Sequence, residues 1–330
     1  MIYNRPEYWL AKTETVVPYL TFSSPNSFTL AVGDATKHWD GTLEYSTDTS
    51  SWSTWDGTTT LSSATSGSDN VLYLRGTGNT KIGYYDEVNT EEYTPWAING
   101  TDVRCDGNIE TLLDYATVEA GQHPVMAEAC FGGLFLGCTA LITPPELPAT
   151  TLARSCYSYM FDGCTSLTQA PELPATTLAF ACYDNMFYGC TSLTQAPALP
   201  ATTLAFGCYI SMFRGCTNLT QDPALPATTL ASNCYTGMFV FCASLAQVPA
   251  LPATTLAESC YDSMFDGCTK IKLSSTQTEE YTQEYRIPTT GTGTTATNAL
   301  LIMFDSTGGT FTGTPVINTT YYLSNTNTVV

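Results

Sequence analysis

The stretch Leu147-Pro148-Ala149-Thr150-Thr151-Leu152-Ala153-Arg154-Ser155-Cys156-Tyr157-Ser158-Tyr159-Met160-Phe161-Asp162-Gly163-Cys164-Thr165 decides the fold, because the chain repeats it. The same phrase returns every 26 residues: Leu-Pro-Ala-Thr-Thr-Leu-Ala, Cys-Tyr, Met-Phe, Gly-Cys-Thr. Twelve of the 13 cysteines fall on two ladders of that period, Cys130 to Cys260 and Cys138 to Cys268. A fixed period of roughly 20–50 residues marks a solenoid, in which each copy buries its apolar face on its neighbours. Solenoids are mostly binding surfaces, so function should lie in what differs between copies.

Within one copy, Thr150 is placed to cap a helix and Gly163 to end it in a left-handed conformation. A wheel of about 100° per residue puts Leu152, Ala153, Cys156, Tyr157, Met160 and Phe161 on one half. Arg154, Ser155, Ser158, Tyr159 and Asp162 fill the other. The first set is invariant between copies and the second varies. The reading is therefore a helix with an invariant buried face and a variable solvent face. After the glycine, Cys164, Leu167, Ala170 and Leu173 recur at spacing three, which reads as an apolar comb with a short strand at 168–173. Parallel stacking at about 4.8 Å would align Gln169, Gln195, Gln221 and Gln247 as an amide ladder, each bonding the next. Pro171 has no N–H, so the strand should be short and irregular.

These residues resemble the BspA-like leucine-rich repeats of gut bacterial surface proteins and of the phages that infect them. The likeness covers about residues 126–270 and is close over Cys156–Leu273. It implies a curved α/β solenoid with adhesion or receptor-binding roles, in a family of binders with many partners. In the fifth copy Phe241 replaces the cap glycine, and that helix end should be strained or rearranged.

Outside the repeats the composition changes. All five tryptophans (Trp9, Trp39, Trp52, Trp55, Trp96) precede residue 100 and all 13 cysteines follow it. The first part alternates β-rich runs with turn signals. Strands are expected at Tyr19–Phe22, Phe28–Val32, Thr42–Ser46, Thr58–Leu61, Val71–Arg75 and Lys81–Tyr85, giving an antiparallel sandwich of immunoglobulin or fibronectin type. The expected organisation is a β-sandwich over 1–98, a junction and N-terminal cap over 99–126, the leucine-rich-repeat solenoid over 127–273 and a C-terminal cap over 274–330. A short helix should start in Gly107–Leu113. The first copy, Met126–Cys138, is degenerate, as a terminal repeat should be. A cysteine-free echo of the phrase returns at Ala299–Asp305, and 311–323 reads as closing strands.

Bulk properties narrow the function. The net charge of −19, with 11 Lys and Arg against 30 Asp and Glu, argues against nucleic acid and anionic membranes. No run of about 18 apolar residues is present, so no membrane insertion is expected. The stretch Met1–Glu7 does not read as a secretory signal, and export by particle assembly or lysis, or loss of a leader, is the expected alternative. Leu-Pro-Ala-Thr-Thr lacks the glycine and apolar tail of a sortase signal.

Chemistry is sought and little is found. The paired cysteines of one copy lie eight residues apart, about 12 Å along a helix, beyond the roughly 7 Å a disulfide spans. They read as buried structural thiols; inter-coil disulfides are the alternative, and no zinc spacing occurs. His38 and His123 sit in different segments with no nucleophile motif beside them. Gly291-Thr292-Gly293 lacks the lysine of a phosphate loop. No enzyme and no cofactor is expected.

The candidate binding surface is Phe180, Phe206, Tyr188, Arg214, Asp184 and Ile210 on adjacent copies, together with Trp52 and Trp55. Such residue types are enriched in binding hot spots. Phe180 and Phe206 could instead tuck against the next copy, and the tryptophans of Trp39-Asp40-Gly41 and Trp55-Asp56-Gly57 could fill the sandwich core rather than stack on sugars. The expected function is a phage virion protein, a tail or head-fibre component that attaches to a host-surface protein or glycan. Other virion subunits and further copies of the chain are expected partners. A bacterial cell-surface adhesin or a purely architectural connector subunit is the alternative.

Overall fold

A computed structural model describes residues 17–34, 36–83, 85–86 and 92–330. Trp9, Met1–Glu7 and Tyr84 lie outside them. The protein is mostly sheet, in several sheets that do not close, and Thr111–Glu119 (α1) is the single helix among the described residues.

The N-terminal strands are β1 (Leu20–Ser24), β2 (Thr29–Val32), β3 (Thr42–Ser46), β4 (Ser53–Trp55), β5 (Leu61–Ser62), β6 (Ala64–Ser66), β7 (Asp69–Thr77), β8 (Tyr85–Asp86), β9 (Glu92–Tyr93), β10 (Trp96–Asn99), β11 (Val103–Asp106) and β12 (Leu141–Thr143). One sheet runs β12-β11-β1-β7-β3-β4, with β6 also on β7; a second runs β10-β2-β5. Alternation along β7 shows why: Leu72, Leu74 and Gly76 face inward while Tyr73 and Arg75 face out. Leu20, Phe22, Leu43, Leu72 and Leu74 from the first sheet share one buried core with Leu30, Val32, Trp96 and Ile98 from the second. The 99–126 stretch contributes β11, an inner strand of the first sheet, and through β12 that sheet reaches into the repeats. The expected strand at 81–85 is replaced at 81–83 by non-strand backbone, and the expected helix start gives α1, whose Glu110 cap N–H donates to Asn108 Oδ1 at 2.8 Å.

The repeats form no helix, and this corrects the reading of Thr150–Gly163. Each copy is a ribbon of consecutive four-residue turns. Backbone donors alternate. The N–H groups of Ser155, Tyr157, Tyr159, Phe161 and Gly163 donate to Phe180, Cys182, Asp184, Met186 and Tyr188 of the next copy at 2.8–3.0 Å. Those of Cys156, Ser158, Met160, Asp162 and Cys164 close local turns onto the residue three before at 3.0–3.3 Å. A helix would spend every donor locally and a sheet none, so this ribbon is half of each, with every donor satisfied. Closing such turns puts every fourth residue at positive φ: Ser155 at 50°, Tyr159 at 56°, Gly163 at 70°. The buried set follows the same period, with Cys156, Tyr157, Met160, Phe161 and Cys164 inside.

Seven such ribbons stack, at 129–137, 155–163, 181–189, 207–215, 233–241, 259–267 and 298–306. The last is the cysteine-free echo, which accepts from Ser259, Tyr261, Ser263, Phe265 and Gly267 as a regular copy would. Stacking aligns the invariant rings. Phe131, Tyr157, Tyr183, Tyr209, Tyr235 and Tyr261 form one ladder with centroids 5.6–5.9 Å apart. Phe135, Phe161, Phe187, Phe213, Phe239, Phe265 and Phe304 form another at 5.4–5.7 Å. All 13 cysteines are buried and unbridged. The second cysteine ladder also ties copies together, because Cys164, Cys190, Cys216, Cys242 and Cys268 donate S–H to the phenylalanine carbonyl 29 residues earlier at 3.0–3.1 Å. The expected glutamine ladder does not form through side chains. Gln195 and Gln221 pair by backbone, and the amides of Gln169, Gln195, Gln221 and Gln247 bond no neighbour.

Both ends are sealed by non-repeating chain. At the first ribbon, Cys130 O accepts from Ile82 and Gly83, and Leu134 O accepts from Trp96. Tyr93 lies on Gly132 and Gly133, where an added Cβ at Gly133 would stand 2.3 Å from Tyr93 Cβ, so this copy must be degenerate. At the other end β14 (Leu273–Ser274), β15 (Tyr281–Arg286) and β16 (Thr320–Ser324) make a small sheet. The C-terminal β17 (Thr328–Val329) turns back and pairs parallel with β13 (Gln247–Val248). Asn327, 3% exposed, clamps it: Nδ2 donates to Ala246 O and Lys270 O at 2.8 and 2.9 Å, and Oδ1 accepts from Lys272 N at 3.0 Å.

Two stability outcomes are expected in denaturant melts. Cys190→Ala should cost about 1–2 kcal/mol through lost packing and the lost S–H bond, with no change in wild-type gel mobility on reduction. Asn327→Ala should cost about 3 kcal/mol, since it strands two carbonyls and one N–H. A reduction-dependent gel shift would overturn the free-thiol reading, and a neutral Asn327→Ala would remove the clamp.

Candidate functional site

The turn ribbon fixes where variable side chains go. Three of the five variable positions in each copy, those of Arg154, Ser158 and Asp162, form columns that each stand immediately before a left-handed residue. Phe180 and Phe206 follow Arg154 in the first column, Asp184 and Ile210 follow Ser158 in the second, and Tyr188 and Arg214 follow Asp162 in the third. Six of the sequence-derived candidates thus share one face of two adjacent copies.

Phe180 and Phe206 are 43% and 42% exposed and stack at 5.0 Å with 3° between planes. Arg154 covers the other face of Phe180, Cζ 4.8 Å from its centroid, while its Nε meets Glu128 at 3.0 Å. Both faces of Phe180 are therefore occupied, and it presents an apolar edge outward. In the third column Arg214 lies between Tyr188 of the preceding copy and Phe241, which fills a left-handed slot of the following one, with Cζ 5.9 Å and 5.6 Å from their ring centroids. Its Nε is buried without a hydrogen-bond partner. Phe241, 50% exposed, is a member of this face that the sequence flagged only as a strained cap. Its φ is +60° and its ring covers Gly267 of the next copy, where a Cβ would stand 2.3 Å from Phe241 Cδ1. The missing glycine in the fifth copy was the signal. Asp184 and Ile210 are half-buried, and Asn185 Nδ2 donates to Asp184 at 2.6 Å.

The tryptophans separate. Trp55 is 1% exposed and packs at 5.2 Å on Trp39 and 5.5 Å on Trp96, so it is core and leaves the candidate surface. Trp52 is half-buried on the outer face of the first sheet. Arg75 lies 4.0 Å over its ring and 4.4 Å over that of Tyr115, and pairs with Glu44 at 2.8 Å.

Titratable groups elsewhere offer little chemistry. Burial pushes the thiols of Cys138, Cys216 and Cys260 up to about 12, which keeps them protonated and poorly nucleophilic. His123 Nδ1 meets Glu110 Oε2 at 2.7 Å beside a cavity of about 370 Å³; burial raises the Glu110 carboxyl against that partner. His38 pairs with Asp34 at 2.8 Å. Among the described residues no group of three His, Cys, Asp or Glu could hold a metal ion, and no helix is long and apolar enough to cross a membrane. No family model, curated protein or solved structure matches the chain.

Four aspartates in the stack, Asp162, Asp184, Asp222 and Asp266, are shifted upward by burial. Burial raises Asp162 to about 6 and Asp184 and Asp222 to about 7, and both Asp222 oxygens lack partners. A carboxyl raised in the folded state binds its proton there more tightly than in the unfolded chain. Its contribution is full below the ordinary carboxylate range and is lost as pH rises through about 6–7. The melting temperature should therefore fall between about pH 5 and pH 8, and Asp222→Asn should flatten that slope where Glu279→Gln does not. A melting temperature that rises over this interval contradicts the assignment.

Proposed function

We propose that the chain is a non-enzymatic attachment protein of a phage particle, a tail or head-fibre component that binds a host-surface protein through the face carrying Phe180, Phe206, Tyr188, Arg214 and Phe241. One observation carries the reading: four large rings stand exposed together on a stack whose remaining outward residues are mostly small or polar. Two groups of exposed rings, the Phe180–Phe206 stack and the Tyr188–Arg214–Phe241 set, on one face of adjacent copies are of the kind that marks interaction sites. Aromatic residues and arginine are the usual anchors of such sites, and Arg214 is held between two rings with its Nε already desolvated. A protein partner suits the face better than a glycan, because sugars stack on ring faces and here Phe180 and Phe206 spend theirs on each other.

The stack fits a leucine-rich-repeat solenoid of the BspA-like kind, with a turn ribbon where that resemblance implies a helix. The N-terminal sheets fit an immunoglobulin- or fibronectin-like sandwich that presents or anchors it. An architectural connector is the second reading, favoured by Leu301, Ile302 and Val316, which stand exposed around the last copy. A bacterial surface adhesin would use the same face.

The test is binding of labelled protein to washed host-cell envelopes. Phe180→Ser with Phe206→Ser should weaken binding about ten-fold or more while leaving the melting transition intact. Protease treatment of the envelopes should abolish it. Undiminished binding by the folded variant would sink the assignment, and loss on periodate but not on protease would transfer it to a glycan.

A further inference from the structure

The segment that follows each turn ribbon carries a second feature, independent of the aromatic face. Two cavities of about 420 and 640 Å³ open over consecutive copies. The first is lined by 143–148, 169–172 and Pro174, the second by 168–174, 194–198 and Pro200, and they share Gln169, Ala170, Pro171, Glu172 and Pro174. They are thus one trough crossing three copies along the stack.

Its chemistry is lopsided. The walls repeat Pro-x-Leu-Pro, so Pro145, Pro171 and Pro197, then Pro148, Pro174 and Pro200, line it in register. Each proline offers a carbonyl and no N–H. Residues 169–174 make no hydrogen bond to any described part of the chain; Gln169, Glu172 and Pro174 are exposed among them, while Pro171 and Leu173 are buried. Glu146 and Glu172 are exposed on neighbouring copies, and neither has an ion-pair partner among the described residues. No lysine or arginine lines either cavity. The trough is therefore rich in acceptors, carries negative charge and has rigid apolar walls, on a protein whose net charge of −19 steers cations toward it.

We propose that this trough docks an extended, lysine- or arginine-bearing peptide segment of a partner protein. Charge complementarity selects the cation. The proline rings give the methylene stem of such a side chain an apolar surface while its head reaches Glu146 or Glu172. Copies spaced about 4.8 Å apart make the trough roughly 10 Å long, which spans about three or four extended residues. Because the prolines fix the backbone, little ordering accompanies binding.

The experiment is fluorescence anisotropy of the full chain titrated into a labelled heptapeptide of alternating alanine and lysine, with the alanine–glutamate counterpart and spermine as comparisons. Saturable binding to the lysine peptide is expected, and it should weaken as salt rises from about 0.05 to 0.3 M. Glu146→Gln with Glu172→Gln should weaken it about five-fold. The exposed control pair Glu279→Gln with Glu280→Gln should leave it unchanged, as should Phe180→Ser with Phe206→Ser, which separates this site from the attachment face. An equal loss at the control pair, wild-type affinity in the glutamate pair, no saturable binding, or spermine competing as well as the peptide would each overturn the proposal.

Discussion

Everything in the stack depends on the alternation of backbone donors. One N–H turns back three residues and the next reaches the neighbouring copy. This alternation imposes a four-residue period, and the period imposes both a left-handed residue at every fourth position and a buried pair at the same spacing. Identity between copies then follows from geometry. A buried ring in the middle of the stack has the copy before and the copy after as its two neighbours. Any residue that packs well against its own kind is selected in every copy at once. Tyrosine and phenylalanine do so by offset stacking. The second cysteine ladder does so by pairing a small volume with a donor that reaches a carbonyl of the preceding copy.

A stack of this kind has two ends that its own rule cannot finish, and the non-repeating parts of the chain finish them. The phenylalanine ladder shows how. Its first ring, Phe135, meets Trp96 edge-on at 90°, and its last, Phe304, meets Tyr285 edge-on at 89°. A perpendicular ring closes a ladder because it offers an edge where a parallel ring would invite another layer. The backbone follows suit, with Ile82, Gly83 and Trp96 feeding carbonyls of the first ribbon, and Gly313 O and Thr314 Oγ1 receiving Phe304 and Ile302 of the last. The N-terminal sheets and the C-terminal strands are therefore parts of one core with the repeats rather than appendages to them.

Much of this was legible in the sequence, and the exception is instructive. The repeat, its buried set and its variable set were all readable from the 26-residue period. The helix was not excluded, because positions i, i+1, i+4, i+5 and i+8 fit a 100° wheel and a four-residue ribbon almost equally. Over eight residues the two drift apart by only about 80°, which stays within one half of the wheel. The discriminating signal lay in the glycine, serine and asparagine residues at four-residue spacing, such as Asn185 and Gly189 or Gly207, Ser211 and Gly215, which are left-handed formers at a period no helix needs. Trp52 and Trp55 show a different limit. They belong to one short segment, but Trp55 ends β4 in the core while Trp52 precedes that strand and lies outside beneath Arg75. Asn327 and β17 were illegible for a third reason, since a clamp across 57 or 81 residues leaves no local pattern.

The ribbon also decides where a binding surface can evolve. Left-handed slots tolerate few side chains, and in the central copies they hold Ala181, Asn185, Gly189, Gly207, Ser211 and Gly215. The position just before each of them has ordinary backbone and lies on the variable face. Phe180, Asp184, Tyr188, Phe206, Ile210 and Arg214 all occupy such positions. Each copy therefore contributes three variable sites in a fixed row, which successive copies line up into a grid one backbone hydrogen bond apart; they are exposed at Phe180, Tyr188 and Phe206 and buried at Ser158 and Val240. Substitution on that grid leaves the alternating donors and the ring ladders untouched. Phe241 marks the boundary of this freedom. It sits in a left-handed slot, where a bulky residue carries strain of about 1–2 kcal/mol, and it is held by the glycine beneath its ring and the arginine beside it. Tyr159 and Ile302 occupy equivalent left-handed slots in other copies, so the ribbon accommodates a bulky residue there wherever neighbouring side chains hold it, as Gly267 and Arg214 hold the Phe241 ring.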